Sequence, residues 1–169
     1  LQKLNIKSPP KMQLRPLHMV WLKADNLPKL YLHSMQKTDK PLITISSHNI
    51  NNNNKYIWYL GGDLAETGCE LSEDIQIKRA KDILDDLFPD LFKNLDKKSI
   101  KWGSVKINRA EGAQANNKRP DGPVIIEKDN IITAWPTKLT FAPLVAEEIF
   151  SQLINISNNN NSVTIIVHL

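Results

Sequence analysis

The chain has 169 residues, of which 41% are hydrophobic and 24% charged, as in a globular protein with one buried core. Its net charge of +4 is too small to indicate nucleic acid, and we expect no nucleic-acid partner. No stretch approaches the roughly 20 apolar residues of a membrane span, the start has no signal-peptide core, and the single Cys69 fits a reducing cytoplasm.

The first third of the sequence is rich in strand signals. Residues 12–22 (MQLRPLHMVWL) predict a strand in which Pro16 indicates an edge or a bulge. Residues 27–35 (LPKLYLHSM) alternate like a second strand. Residues 41–48 (PLITISSH) and 56–62 (YIWYLGG) flank a cluster of asparagines, and this pattern predicts a hairpin.

A helix is predicted to begin after Ser72, a favoured N-cap residue, with Glu73 and Asp74 in its first turn complementing the helix dipole. Apolar residues then recur at spacings of three and four and form one stripe, which Pro89 interrupts near its end. The stripe consists of Ile77, Ala80, Leu84, Leu87 and Leu91.

The second half returns to strands around one further helix. Residues 99–108 predict a strand, residues 109–123 a polar loop, and residues 124–135 two short strands joined by a turn. A helix from about Thr140 and a strand at residues 164–169 follow. This order predicts an α+β fold with a mostly antiparallel sheet.

The loop PTKLT, residues 136–140, joins a strand directly to a helix N-terminus and is the first candidate binding site. Unpaired backbone N–H groups, the helix dipole and Lys138 together suit a phosphate, a carboxylate or a flavin oxygen. The alternative is an ordinary cap, with Thr137 or Thr140 accepting backbone hydrogen bonds and Lys138 solvated. Spacing alone favours this cap, because capped helices outnumber ligand sites.

Arg109 and Arg119 border one loop and form a second candidate site, since guanidinium groups bind carboxylates through two hydrogen bonds. The alternative is a pair of loop salt bridges within the segments RAE (residues 109–111) and RPD (residues 119–121), which the sequence alone slightly favours.

The sequence gives weaker support to two other kinds of site, a nucleic-acid surface and a metal site. The basic segment around Trp102 could contact nucleic acid, but a solvated strand edge is favoured. The histidines lack a metal-binding spacing, so no metal site is predicted. His18 and His33 could meet across neighbouring strands, although a hydrogen-bonded sheet histidine is the default. The four histidines are His18, His33, His48 and His168.

Eight segments taken in order resemble one family far more specifically than these motifs. They lie between residues 12 and 153, and AWPTKLTFAP and RPLHMV are the most specific pieces. The family is that of bacterial FAD-dependent oxidoreductases in the D-amino-acid oxidase superfamily, some of which are named glycerol-3-phosphate dehydrogenase. The segments are MQLRPLHMVWLK, LPKLYLHSM, KPLITISSH, IWYLGGDLAE, the helix from Ser72, NRAEGAQ, RPDGPVI and NIITAWPTKLTFAPLVAEEI.

The resemblance implies that this chain is the C-terminal half of such an enzyme. It implies a substrate-binding lobe at residues 12–111, a segment at residues 112–154 that returns to the FAD-binding domain, and a tail with an asparagine-rich turn at residues 155–169. The Rossmann half, with its glycine-rich nucleotide loop, would then be a missing partner from the same protein, because the sequence contains no G-x-G-x-x-G.

The resemblance also implies FAD as the cofactor. The backbone N–H groups of Thr137, Lys138, Leu139 and Thr140 would meet the pyrimidine end of the flavin, where reduction places negative charge. Many superfamily members have glycines in this loop, which this sequence lacks.

The strand ending in Arg109 resembles the one whose arginine often holds a substrate carboxylate. Arg15 and His18, within RPLHMV, are further substrate-binding candidates, and no catalytic residue is assigned. The implied reaction is hydride transfer from a small polar or anionic substrate to FAD, and this chain alone would be incomplete and inactive. The alternative is a non-enzymatic remnant or stand-alone binding module of the same fold without a cofactor.

Overall fold

The computed structural model describes residues 10–35, 40–50, 55–115, 118–157 and 162–168. This part of the chain contains eight strands and three α-helices, with a short 3-10 turn before the last helix. The asparagine clusters at residues 51–54 and 158–161 lie outside the described residues. The elements are β1 Met12–Lys23, β2 Tyr31–Met35, β3 Pro41–Ile50, β4 Lys55–Gly61, α1 Asp63–Thr67, α2 Glu73–Leu87, β5 Lys101–Gly112, β6 Val124–Lys128, β7 Ile131–Trp135, α3 Ala142–Ser157 and β8 Thr164–Val167.

The first sheet contains five strands in the order β2-β3-β4-β1-β5. The pairs β2–β3, β3–β4 and β1–β4 are antiparallel, and the predicted hairpin is confirmed with Ile45 opposite Leu60. Alternating β-branched and aromatic residues favour this pairing because one face of each strand is buried.

Of the two interpretations of Pro16, an edge strand or a bulge, the edge strand is wrong, because β1 lies between β4 and β5. Pro16 precedes the stretch of β1 that pairs with β4, Val20 to Lys23, and its missing N–H therefore costs no hydrogen bond to β4. Because β3 and β4 separate β1 from β2, His18 and His33 do not meet across neighbouring strands.

Helix α2 covers this sheet with the apolar stripe that its sequence predicts. Ala80 and Leu84 are fully buried in a cluster with Trp58 and Leu60, and Ile77, Leu87 and Leu91 pack at its border. Ser72 occupies the N-cap position, but its side chain makes no capping hydrogen bond. Helix stability here therefore comes mainly from packing of the apolar face.

The second sheet has the order β6-β7-β8. Strands β6 and β7 form the predicted hairpin, and the positive φ angles of Asp129 and Asn130, 54° and 60°, match the two-residue turn that suits twisted strands. Strands β7 and β8 are parallel, and α3 connects them. Val145 and Ile149 of α3 pack on β7.

The described residues form an α+β fold with mostly antiparallel pairing and contain no doubly wound parallel sheet. They divide into two compact units, one of residues 16–108 and the other of residues from 1–15 and 109–169. The sequence placed its lobe boundary after residue 111, and the functional meaning of that boundary stays a prediction. Among the described helices, none is both long and apolar enough to cross a bilayer.

Candidate functional site

Strand β5 continues through residues that the sequence assigned to a loop. The expected strand ended at Asn108, whereas β5 runs to Gly112. This extension lacks the apolar alternation that predicts a strand. Arg109 and Glu111 lie two residues apart on one face of β5, and that face meets a polar cluster instead of an apolar core. The predicted loop start is therefore wrong. At Gly112 a Cβ atom would lie 2.6 Å from Val124, so the strand end needs glycine for close packing.

Glu111 forms the centre of this cluster. Its side chain is 2% exposed, and Arg15 places its Nε atom 3.2 Å from Oε2 and 3.4 Å from Oε1. Arg109 places Nη2 3.8 Å from Oε1 of the same carboxylate. The two arginines are partly exposed, at 16% and 31%. Two guanidinium charges and one carboxylate leave one net positive charge, which an anion can neutralise.

Arg15 and Arg109, both predicted to bind substrate, are thus brought together around one carboxylate. The contact between Arg109 and Glu111 is an ion pair, the kind of interaction that the salt-bridge alternative proposed for this loop. The Nε atom of Arg109 is buried and has no hydrogen-bond partner among the described residues. One donor of this guanidinium therefore has an unsatisfied hydrogen bond within the described part of the structure.

Arg119 lies with the PTKLT loop instead of with Arg109. Its Nη2 atom donates a hydrogen bond of 2.7 Å to the carbonyl oxygen of Thr137. The Thr137 hydroxyl donates to the carbonyl oxygens of Pro136 and Gly122, at 2.7 Å and 3.3 Å. These hydrogen bonds attach the PTKLT loop to residues 119–122.

The backbone at Thr137 is strained. Its φ angle is +60°, a left-handed conformation that is uncommon for a β-branched residue. Such strain costs on the order of 1–3 kcal/mol and is concentrated at functional sites. The two hydroxyl hydrogen bonds and the contact from Arg119 hold this conformation in place.

The last helix begins where the sequence placed it. A 3-10 turn covers Leu139–Phe141 and α3 starts at Ala142, within two residues of Thr140. Among the described residues, neither Leu139 nor Thr140 donates its backbone N–H to an acceptor outside the helix. The Thr137 hydroxyl donates to carbonyl oxygens, so it does not serve as the ordinary cap that the sequence allowed.

The side chains of the loop are mainly exposed. Lys138 lies with Nζ 5.4 Å from the centre of the Phe141 ring, a cation–π contact at the surface. Thr140 is exposed, and the Leu139 side chain lies outside the described part of the structure.

The donors around the loop fit an electron-rich ligand. Trp135 immediately precedes the loop, is 1% exposed, and has a buried indole N–H with no partner among the described residues. The Nε atom of Arg119 is likewise buried without a partner there. Leu139 and Thr140 also have no acceptor for their backbone N–H groups among the described residues outside the helix, so several hydrogen-bond donors near this loop lack a protein partner there.

His18 lies in the other compact unit, in its interior. It is 1% exposed, with Nδ1 3.0 Å from the carbonyl oxygen of Gly68 and Nε2 2.8 Å from the Ser104 hydroxyl. Both ring nitrogens are therefore occupied, as expected for a hydrogen-bonded sheet histidine. The structure does not bring His18 together with the arginines, and its role in substrate binding rests on the resemblance alone.

The remaining candidates from the sequence are Trp102 of the basic segment and the metal-ligating side chains. Trp102 packs at the border of the core beside Phe92, with Lys81 over its ring at 5.4 Å. Within the part of the chain that the structure describes, no three His, Cys, Asp or Glu side chains lie close enough to hold a metal ion.

The sequence analysis placed Arg119 beside Arg109 as an anion-binding candidate, and it assigned no role in a site to Glu111. Glu111 carried a usable signal, because a residue two positions after Arg109 on a strand shares its face. Arg119 was considered as an anion ligand, but its contact with a backbone carbonyl depends on loop folding, which residue spacing does not encode.

No family model matches the sequence. A curated relative, the probable FAD-dependent oxidoreductase PA4991 of Pseudomonas aeruginosa, is 39% identical over 154 residues. The match covers 90% of this chain and 38% of the relative, so the chain spans well under half of that protein.

A solved structure agrees with this similarity. The crystal structure of the FAD-dependent oxidoreductase PA4991 superimposes with a TM-score of 0.77 at 36% sequence identity, over 92% of this chain and 42% of the solved one. The chain is similar to part of an FAD-dependent oxidoreductase. Both comparisons support a relationship to flavoprotein oxidoreductases.

Proposed function

We propose that this chain is the C-terminal part of an FAD-dependent oxidoreductase of the D-amino-acid oxidase superfamily. The observation that carries the proposal is the similarity over 90% of the chain to a protein named as an FAD-dependent oxidoreductase. The chain would contribute the substrate-binding lobe and the loop that contacts the flavin. Because it spans only 38% of the relative, the nucleotide-binding half comes from elsewhere in the same protein.

The flavin would be held at residues 137–140. The backbone N–H groups of Leu139 and Thr140 would face its pyrimidine oxygens, and the dipole of α3, which starts at Ala142, would favour the negative charge of the reduced ring. Lys138 adds a positive charge at the exposed side of this loop. When bound, FAD supplies the acceptor for a hydride from the substrate carbon.

The substrate would be small and polar or anionic, held by Arg109 with Arg15 beside it. Arg109 has a buried Nε donor without a partner among the described residues, and its contact with Glu111 is long at 3.8 Å. Of the two guanidinium groups, Arg109 therefore has the weaker contact with Glu111. Arg15, whose Nε lies close to both oxygens of Glu111, acts as its neighbour and anchor.

The remaining half of the enzyme would dock at the edge of the second sheet. Strand β8 is an edge strand of that sheet in the described structure, and it pairs parallel with β7. Ile165 and Val167 on one face of it are 44% and 45% exposed, and Phe150 on α3 is 64% exposed. Because β8 leaves one backbone edge unpaired in the described structure and apolar side chains lie exposed nearby, an adjoining strand and helix of the missing half would pair with this edge and bury these residues.

A hybrid protein tests the substrate part of the proposal. In the hybrid, this chain replaces the matching 38% of the Pseudomonas aeruginosa relative. Anaerobic mixing with a panel of small carboxylates and neutral polyols should reduce the flavin with at least one anionic compound. Arg109→Gln should raise the KM for that compound by about tenfold or more while the flavin content stays constant. A matched control, Lys128→Gln on exposed β6, should leave KM unchanged.

The rival function, a binding module without a cofactor, predicts a different result. The hybrid would then fold but contain no flavin, and no compound in the panel would be oxidised. A flavin-containing hybrid that is reduced equally well with glutamine at position 109 would retain the cofactor part of the proposal. It would remove Arg109 from substrate binding.

A further inference from the structure

Glu111 stands out as a buried acid within a site that the proposed function assigns to anion binding. A carboxylate repels an anionic ligand, so simple charge counting gives no reason for its presence there. Its side chain is 2% exposed, and the guanidinium groups of Arg15 and Arg109 are its charged neighbours among the described salt bridges. A buried carboxylate is strongly unfavourable unless it is paired, and this pairing explains why Glu111 can be charged.

The two contacts to Glu111 are unequal. Arg15 approaches both carboxylate oxygens through Nε, at 3.2 Å and 3.4 Å, whereas Arg109 reaches only one oxygen, at 3.8 Å. The first contact is a charge-assisted hydrogen bond, and the second is electrostatic attraction that leaves the Arg109 donors unsaturated. Glu111 therefore restrains Arg109 without occupying its donors.

Without the carboxylate, the two guanidinium groups would repel each other. Arg109 is 31% exposed and could relieve the repulsion by turning toward solvent, which would misplace the proposed ligand. We propose that Glu111 is a positioning residue that holds Arg109 in place for anion binding. This inference rests on the proposed function for its ligand, and it adds a residue whose charge is opposite to the one that anion binding requires.

The direction in which Glu111→Gln changes the affinity for an anion distinguishes a positioning role from a simple effect of net charge. Glu111→Gln raises the net charge of the three side chains from one positive charge to two. If charge alone mattered, an anion would bind more tightly to the variant. If Glu111 positions Arg109, the anion binds more weakly despite the added positive charge.

Nitrogen NMR of the 169-residue chain measures both effects without a cofactor. The Nε–Hε signal of Arg109, assigned by its loss in Arg109→Lys, reports the order of the side chain and its response to sodium acetate. In the unaltered chain we expect an ordered signal that shifts and saturates with acetate. In Glu111→Gln we expect a mobile signal and an acetate Kd about tenfold higher, the loss expected for one hydrogen bond to a charged group.

Two further variants control the measurement. Glu127→Gln changes the same charge on an exposed position of β6 and should leave the order of Arg109 and the acetate Kd unchanged. Glu111→Asp keeps the charge but withdraws the carboxylate by one methylene, and we expect an intermediate loss. If the amide spectrum shows that Glu111→Gln does not fold, Glu111→Asp provides the test. An Arg109 signal and an acetate Kd equal to those of the unaltered chain would then overturn the inference.

The remaining outcomes are distinct. An Arg109 signal that stays ordered in Glu111→Gln, or acetate binding that becomes tighter, overturns the positioning role while leaving the proposed anion site intact. A mobile Arg109 signal in Glu111→Gln, with no response to acetate in the unaltered chain, supports the positioning role and removes the anion site from the proposed function.

Discussion

Lys138 is the residue whose charge most directly tests the chemistry of the PTKLT loop. A cation near the pyrimidine ring favours the reduced, anionic flavin and so raises its reduction potential. Because Lys138 is exposed, solvent limits its effect to about 1 kcal/mol, or roughly 20 mV for a two-electron couple. In the flavin-loaded hybrid, Lys138→Ala should lower the potential by about this amount, measured against a reference dye. An unchanged potential would leave the backbone N–H groups alone to stabilise the reduced ring.

Cys69 predicts a pH dependence of stability. Burial raises the pKa of its thiol above the ordinary value, and Glu70 acts in the same direction. The folded state therefore holds the proton more tightly than the unfolded state does. This stabilisation is complete below the unfolded-state pKa, near 9.0, and is lost as pH rises through the higher folded-state pKa.

The urea midpoint should accordingly fall more steeply above pH 9 in the unaltered protein than in Cys69→Ala. The comparison between the two proteins cancels the titration of other groups. Parallel curves for the two proteins would mean that burial of the thiol does not affect its proton affinity.

At the level of elements, α2 shows what the sequence could predict. Its apolar stripe with a spacing of three and four residues has one physical solution, a helix face packed on the sheet, and Ala80 and Leu84 are fully buried there. We expect Leu84→Ala to lower the free energy of unfolding by about 2–4 kcal/mol, measured with urea. Asp82→Ala, on the exposed side of the same helix, should change it by less than about 0.5 kcal/mol. Similar losses for both variants would contradict this packing.

The elements that the sequence missed lack such a pattern. Helix α1 has five residues, too few for a helical period to be visible, and it follows Gly62, an N-cap residue with a φ angle of 79°. The extension of β5 is polar because Arg109 and Glu111 face a buried ion cluster. A hydrophobic pattern cannot reveal a strand whose buried face is charged.

For the whole molecule, the order of strands and helices predicted the fold class, and residue types together with the resemblance predicted the two candidate sites. The structure altered which residues lie together in each site. Arg15 and Arg109 share Glu111, and Arg119 joins the loop through Thr137. These pairings connect residues far apart in sequence, so spacing alone could not supply them. His18 was selected with Arg15 because the two lie close together in RPLHMV, yet its ring is enclosed in the core.

The 169-residue chain on its own should not retain FAD through gel filtration. Contacts to the adenosine and pyrophosphate supply much of the affinity of such a cofactor, and the glycine-rich loop that makes them is absent from this sequence. Calorimetric titration with FAD should show weak binding or none. A yellow chain with one flavin per molecule after gel filtration would contradict this expectation.

Flavin content of the hybrid is the most direct test of the central claim, that this chain completes an FAD-dependent oxidoreductase. The hybrid, the unaltered Pseudomonas aeruginosa relative, that relative without its matching segment and the chain alone should be purified in parallel, and bound FAD should be measured by absorbance after heat release. We expect close to one FAD per molecule in the hybrid and in the relative, and much less both in the chain alone and in the relative without its matching segment. A hybrid that is folded and monodisperse but colourless, beside a yellow relative, would contradict it.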